Sequence, residues 1–132
     1  MAAPASSAPI RVAVVEDDDR LRAGFVSRLE GAAGFRCVAA FANAEQALVR
    51  LAEAAPEVVL MDINLPGKSG IDCVRELKQK HPAIQFLMLT VYEDLDMIFR
   101  SLQAGATGYL LKRAVPAELL GPSVICTPAG RR

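Results

Sequence analysis

Five short apolar runs, separated by segments of helical periodicity, constrain this chain more than any other feature. Ile10 to Val15, Phe35 to Phe41, Val58 to Met61, Gln85 to Thr90 and Gly108 to Leu111 each read as a strand. Between the first two, Leu21, Phe25, Val26 and Leu29 recur at helical spacing, with Asp18 or Asp19 placed to cap the first turn and Gly31 and Gly34 to close the helix. Asn43, with Gln46 three residues on, has the pattern of a capping box opening a helix through Ala54, and Ala55-Pro56 stops it. Ile71, Val74, Leu77 and Lys78 carry a third helix to His81-Pro82. Asp94 starts a fourth, with Met97, Ile98 and Leu102 before a terminal Gly105, and Pro116 suits the first position of a last helix. Strands that are apolar throughout are those buried on both faces. Strand and helix alternating five times over short connections predict an α/β fold with a doubly wound, five-stranded parallel sheet and helices on both faces.

At 132 residues the chain is one domain with a single core. Fifteen basic and fifteen acidic residues cancel, so no global field recruits nucleic acid or membrane. No apolar stretch approaches the roughly 20 residues that span a bilayer. Met1 to Pro9 has neither a basic start nor a leucine-rich centre, so it is not a secretory signal and reads as a frayed lead-in of Ala, Pro and Ser. Cys37, Cys73 and Cys126 lack metal-ligand spacing and read as idle thiols of a reducing compartment. A cytoplasmic location is the expectation.

The third run ends abruptly on a carboxylate, in Val58-Val59-Leu60-Met61-Asp62-Ile63-Asn64-Leu65-Pro66-Gly67-Lys68-Ser69-Gly70. In a parallel sheet the carboxyl ends of the strands open into the ligand crevice. An acid there is held by a rigid element yet faces water, which suits a nucleophile or a metal ligand; capping the following turn is the plainer use of such an Asp. Other strand candidates end in the same way: the first at Glu16-Asp17, the fourth at Thr90, the fifth at Lys112. Three carboxylates on one sheet edge repel one another and raise each other's pKa unless a cation sits among them. A hard divalent ion with oxygen ligands, Mg²⁺, resolves that conflict. Lysine and a hydroxyl would then face an anion held there. Aspartate as phosphoryl acceptor is established covalent chemistry, and metal, lysine and hydroxyl are the donors its equatorial oxygens need.

Taken singly, each residue has a plainer reading: Glu16 and Asp17 as solvated helix-start acids, Thr90 as an ordinary strand residue, Tyr109 as packing, Lys112 beside Arg113 as a surface pair. Their joint order and offset overturn these. His81, before Pro82 at a helix end, reads as exposed and idle. Gly67-Lys68-Ser69 mimics the end of a phosphate-binding P-loop, but that motif needs a Gly where Asp62 stands. An aspartyl-phosphate phosphatase would carry an acid two residues after its nucleophile, on the first strand; here the residue is Asn64, on the third.

Acidic pair, Met61-Asp62, the Leu65-Pro66-Gly67 turn, Thr90, and Tyr109 with Lys112 stand in order over Arg11 to Leu120, and the chain resembles a response-regulator receiver domain of two-component signalling. Leu89-Thr90-Val91-Tyr92 and Ala104-Gly105-Ala106-Thr107-Gly108-Tyr109-Leu110-Leu111-Lys112 are most similar to the NarL/FixJ-like (LuxR-type) branch. The resemblance implies a flavodoxin-like (CheY-like) sheet in the order 2-1-3-4-5. It implies that Asp62 is the phosphoacceptor and that Glu16 and Asp17 hold Mg²⁺, Asp17 the more directly, together with Asp62 and the backbone carbonyl of Asn64. Thr90 would be the switch hydroxyl, Tyr109 the aromatic that changes rotamer with it, and Lys112 the lysine that contacts the phosphoryl group. The partner implied is a histidine kinase and the output transcription. The alternative is a stand-alone phosphorelay or interaction module without DNA output. The domain would be no enzyme, beyond its own phosphorylation and dephosphorylation chemistry.

The pattern departs from the family at its end. After Ala117-Glu118-Leu119-Leu120 a long fifth helix, a linker and a DNA-binding module would follow; Gly121-Pro122 instead breaks the helix. Residues 1–9 are therefore expected as a disordered lead-in, 10–120 as the receiver domain with a shortened or atypical fifth helix, and 121–132 as an atypical tail. A single-domain regulator, a trimmed chain and an altered C-terminus all remain open. DNA would be reached only through an output domain absent from this sequence. Val124 and Ile125 would fold back over the gap left by the short helix, or a second copy would cover it and form a homodimer.

Overall fold

The structure, a computed structural model, describes residues 8–91 and 93–114. The early lead-in, Tyr92, the helix expected from Pro116, Leu119 and Leu120, the tail with Val124 and Ile125, and Cys126 lie outside the described residues. Within them the elements run β1 (Ile10–Val15), α1 (Asp19–Glu30), β2 (Phe35–Phe41), α2 (Ala44–Ala54), β3 (Val58–Asp62), α3 (Gly70–Lys80), β4 (Gln85–Thr90), α4 (Leu95–Ala104) and β5 (Gly108–Leu111), with a short 3₁₀ turn over Lys112–Ala114. All pairings are parallel and the strand order is β2-β1-β3-β4-β5, the doubly wound arrangement expected. β3 runs one residue further than the sequence suggests, because Asp62 still pairs in register with Leu89.

The strands alternate their side chains between two apolar layers. Ala13, Val15, Val59, Met61, Phe86 and Met88 face Leu51 of α2 and Val74 and Leu77 of α3. Val12, Val14, Leu60, Leu87, Leu89 and Leu110 form the opposite layer, with Phe25 and Leu29 of α1. Apart from the small Ala13, each such side chain, taken fully out of water, contributes about 1.5–3 kcal/mol. Burial on both sides explains why the central strands β3 and β4 stay apolar between their ends.

Local signals at the helix ends worked mostly as written. Asp18 caps α1 by accepting from the N–H groups of Arg20 and Leu21, and Asp94 caps α4 by accepting from Met97. Asn43 accepts from Gln46 N–H, but the reciprocal bond of the box is displaced by one residue: Gln46 Oε1 takes the N–H of Ala42. Leu21 and Leu102, expected on buried helix faces, are exposed, because α1 and α4 each meet the sheet along a narrower stripe, Phe25 and Leu29 in one and Ile98, Ser101 and Ala104 in the other. His81, expected to be exposed, is partly buried, and its backbone N–H closes α3 on Leu77.

The chain leaves β1 toward β2 on one side and returns to β3 on the other. The carboxyl ends of β1 and β3 therefore flank the point where the winding reverses, which is where such sheets open a crevice.

Candidate functional site

Glu16 and Asp17 follow β1, Asp62 ends β3, and one ligand oxygen from each lies within 4.8 Å of the others. Their burial differs. Glu16 is 1% exposed and Asp62 2%, whereas Asp17 stands at the rim in solvent. Lys112, immediately after β5, reaches into this group from a third strand. Its Nζ lies 2.9 Å from Glu16 Oε1 and 3.3 Å from Asp62 Oδ1.

Backbone donors complete the framework. Asn64 N–H donates to Asp62 Oδ1 at 3.1 Å, and Asp18 N–H to Glu16 Oε2 at 3.1 Å. The guanidinium of Arg22 donates to the Glu16 carbonyl at 2.9 Å, fixing the chain where β1 turns into α1. On the other side the turn through Leu65-Pro66-Gly67 folds back so that Gly70 N–H reaches Ile63 O at 3.0 Å. Ser69 then caps α3.

The cluster is electrostatically frustrated. Burial, and then the charge of Glu16, push the Asp62 carboxyl up to about 7, against the opposing pull of Lys112 and the Asn64 N–H. Burial alone would lower the Lys112 ammonium, but the carboxylates of Glu16 and Asp62 more than reverse this and hold it above the ordinary lysine value. Lys112 is one cation set among three acids. Glu16 Oε1 is also buried without an aligned hydrogen bond, although the ammonium stands close to it. Three oxygen donors, two of them buried and one under-satisfied, are the donor set a small hard cation takes.

Thr90 is buried at the end of β4 and, with Asn64, lines a cleft of about 330 Å³ completed by Ile63, Val91, Asp94 and Met97. Tyr109, on β5, packs against the α2–α3 layer and donates its hydroxyl to Glu93 Oε2 at 2.8 Å. The structure thus brings Glu16, Asp17, Asp62, Asn64 and Lys112 together, and puts Thr90 and Tyr109 on the two neighbouring strands. Lys68, the residue that suggested a phosphate loop, pairs with Glu76 of α3. Sequence reasoning passed over Arg22 and Glu93. Arg22 sits one helical turn beyond the capping Asp18, a spacing that could have shown it, whereas nothing local signals that Glu93 meets a residue sixteen positions on.

Residues 12–121 match the family of response regulator receiver domains. The response regulator GacA of Pseudomonas viridiflava is 40% identical over 111 residues, covering 84% of this chain and 52% of that protein. The DNA-binding transcriptional regulator NtrC of Salmonella typhimurium is 38% identical over 99 residues, covering 75% of this chain and 21% of that protein. This chain thus spans about half the length of the first of these relatives and less of the second. A two-component response regulator of the LuxR family from Aurantimonas sp. SI85-9A1 superposes with a TM-score of 0.78 at 33% identity, covering 85% of this chain and 80% of that one. A switch-point cluster of acids facing a strand-end lysine, on a sheet wound in this order and with these relatives, leads to one assignment: the chain belongs to the response regulator receiver domain family of two-component systems, in its NarL/FixJ-like (LuxR-type) branch.

Proposed function

We propose that this domain takes a phosphoryl group from a histidine kinase onto Asp62 and that the resulting change controls an output, transcription. The observation that carries this reading is Asp62 itself: a buried carboxylate at a sheet edge, held by one backbone N–H and faced by one ammonium. An Asp62 oxygen forms the new bond to phosphorus while the bond from phosphorus to the donor's imidazole nitrogen breaks, and the imidazole keeps the electron pair. Lys112 stands where it can follow the transferred oxygens, and Thr90 offers a hydroxyl at the cleft. Glu16, Asp17, Asp62 and the Asn64 carbonyl are the groups that would hold Mg²⁺, which when bound offsets the negative charge of acceptor and phosphoryl group together. The domain acts as substrate and switch and is no enzyme of its own, catalysing only its own phosphorylation and dephosphorylation.

Incubation with Mg²⁺ and a small acyl phosphate should add one phosphoryl group, read as a mass gain. Asp62→Asn should abolish it, because the amide is not a nucleophile here. Continued labelling of that variant would place the acceptor elsewhere.

A further inference from the structure

The acids that follow β1 are held from the next helix. Val15 is the last residue of β1 in register with its neighbours. Beyond it, the Glu16 carbonyl is taken by Arg22, whose Nη1 lies 2.9 Å away from six residues further along the chain. The other amino group, Nη2, pairs with Asp19 at 2.6 Å, and the backbone N–H of Arg22 bonds to Asp18 O at 2.8 Å as α1 begins. Asp18 N–H in turn closes on Glu16 Oε2 at 3.1 Å. Asp17 therefore stands between two neighbours that are both fixed, and the backbone between them carries its carboxylate to the rim of the acidic cluster. The Arg22 side chain is 22% exposed and that of Asp19 86%, so the arm on the carbonyl is the sheltered and stronger one.

Resting on the reading of Glu16, Asp17 and Asp62 as the groups that would hold Mg²⁺, we propose that Arg22 is a positioning residue for that site: by holding the Glu16 carbonyl it fixes the backbone that presents Asp17, and so raises the affinity for Mg²⁺. Donors already in place lose less freedom when the ion binds. The planar fork of a guanidinium serves a carbonyl and a carboxylate at once, which the single ammonium of a lysine does less well. As a bare charge, Arg22 has the contrary effect, because it repels a second cation nearby. Anchor and charge thus act with opposite signs, and the Mg²⁺ affinity of variants tells them apart.

Calorimetric titration with Mg²⁺ tests this in wild type, Arg22→Ala, Arg22→Lys, Asp17→Ala and the Arg22→Ala/Asp17→Ala double variant. Urea unfolding in chelator, run alongside, gives the stability of each; a purely structural role would lower stability and leave the affinity of the folded molecules unchanged. Arg22→Ala should bind Mg²⁺ about tenfold more weakly, the low end of the cost of losing a partner behind a metal ligand. That loss should appear even though a repelling charge has gone. Arg22→Lys, which keeps the charge and one donor centre, should fall between wild type and Arg22→Ala, and it keeps the test open if the alanine variant does not fold. On the Asp17→Ala background, Arg22→Ala should cost little more, since both changes remove the same contribution. Unchanged or tighter binding by the Arg22 variants, or a full further loss in the double variant, would overturn the anchoring role while leaving the reading of the acids as metal ligands intact. A wild type that takes up no Mg²⁺ would remove both.

Discussion

A Cβ on Gly70 would fall 1.9 Å from the carbonyl oxygen of Asp62 and 2.9 Å from its carbonyl carbon. The start of α3 therefore presses backbone to backbone on the end of β3, and the position of Asp62 depends on a missing side chain eight residues away. Gly70→Ala has no flexible neighbour to yield, so α3 or the strand end must move, at about 3 kcal/mol, the upper end of ordinary overpacking. Urea unfolding should show the loss, and phosphoryl acceptance at Asp62 should fall with it. Gly24, inside α1, is the control, because a Cβ there would meet nothing within 4 Å. Gly24→Ala should stabilise by roughly 0.5–1 kcal/mol through helix propensity. Equal behaviour of the two variants would show that the close approach at Gly70 does not hold in solution.

The raised carboxyl of Asp62 predicts how stability depends on pH in chelator. An unfolded aspartate loses its proton near 3.8, whereas in the fold Asp62 keeps it to about 7. The folded state binds more protons in that window, so this group's contribution is full below the lower value and is lost as pH rises through the upper one. At about 1.4 kcal/mol per pKa unit the loss amounts to a few kcal/mol at most. Lys112 is shifted upward from 10.5, so its contribution persists through neutral pH and leaves the window alone. Denaturation midpoints at pH 5 and pH 7.5 should differ in wild type and much less in Asp62→Asn. A flat wild-type profile would contradict the buried, repelled carboxylate.

Asp17 and Glu16 should separate metal binding from folding. Asp17 is at the rim, so Asp17→Ala should leave the chelated protein's stability within about 0.5 kcal/mol, as for other surface changes. It should weaken Mg²⁺ binding by roughly tenfold or more, or about 1.4 kcal/mol. Glu16 is buried and paired with Lys112, which keeps Asp62 as a second partner, so Glu16→Ala should destabilise the chelated protein as well, by about 1.5–3 kcal/mol, the worth of one hydrogen bond between charged groups. Calorimetric Mg²⁺ titration and urea unfolding read the two effects separately. Unaltered Mg²⁺ affinity in Asp17→Ala would remove that residue from the ligand set.

The thiols offer a check on packing that is independent of the site. Burial, then the charge of Glu76, push the Cys73 thiol up to about 12, and Cys73 has no exposed surface. Burial also raises Cys37, but that thiol is only half-buried. Because the thiolate is the reactive form, alkylation at pH 8 followed by peptide mass mapping should modify Cys37 well before Cys73. Comparable rates at both would mean that the α2–α3 layer opens readily.

Strand-and-helix order, the caps at Asp18, Asn43 and Asp94, and the acids and lysine at the strand ends were legible from the sequence, because each depends on residue type and near-neighbour spacing. The sheet order came from family resemblance, since hydrophobic periodicity is the same whichever strand lies beside which. Long-range relations left no such trace. Gly70 read as turn chemistry, yet its necessity comes from the Asp62 carbonyl arriving from another element, too close for any side chain between them. Leu21 and Leu102 fit a helical apolar face, but how much of that face the sheet covers is set by how each helix lies across it. Glu93 and Tyr109, sixteen residues apart, meet because β5 lies beside β4. By itself the sequence determined which of the described elements form and which polar residues stand at the strand ends. The tertiary structure decided which of those residues share a dry, low-dielectric space, and burial there makes Asp62 hold its proton to about 7.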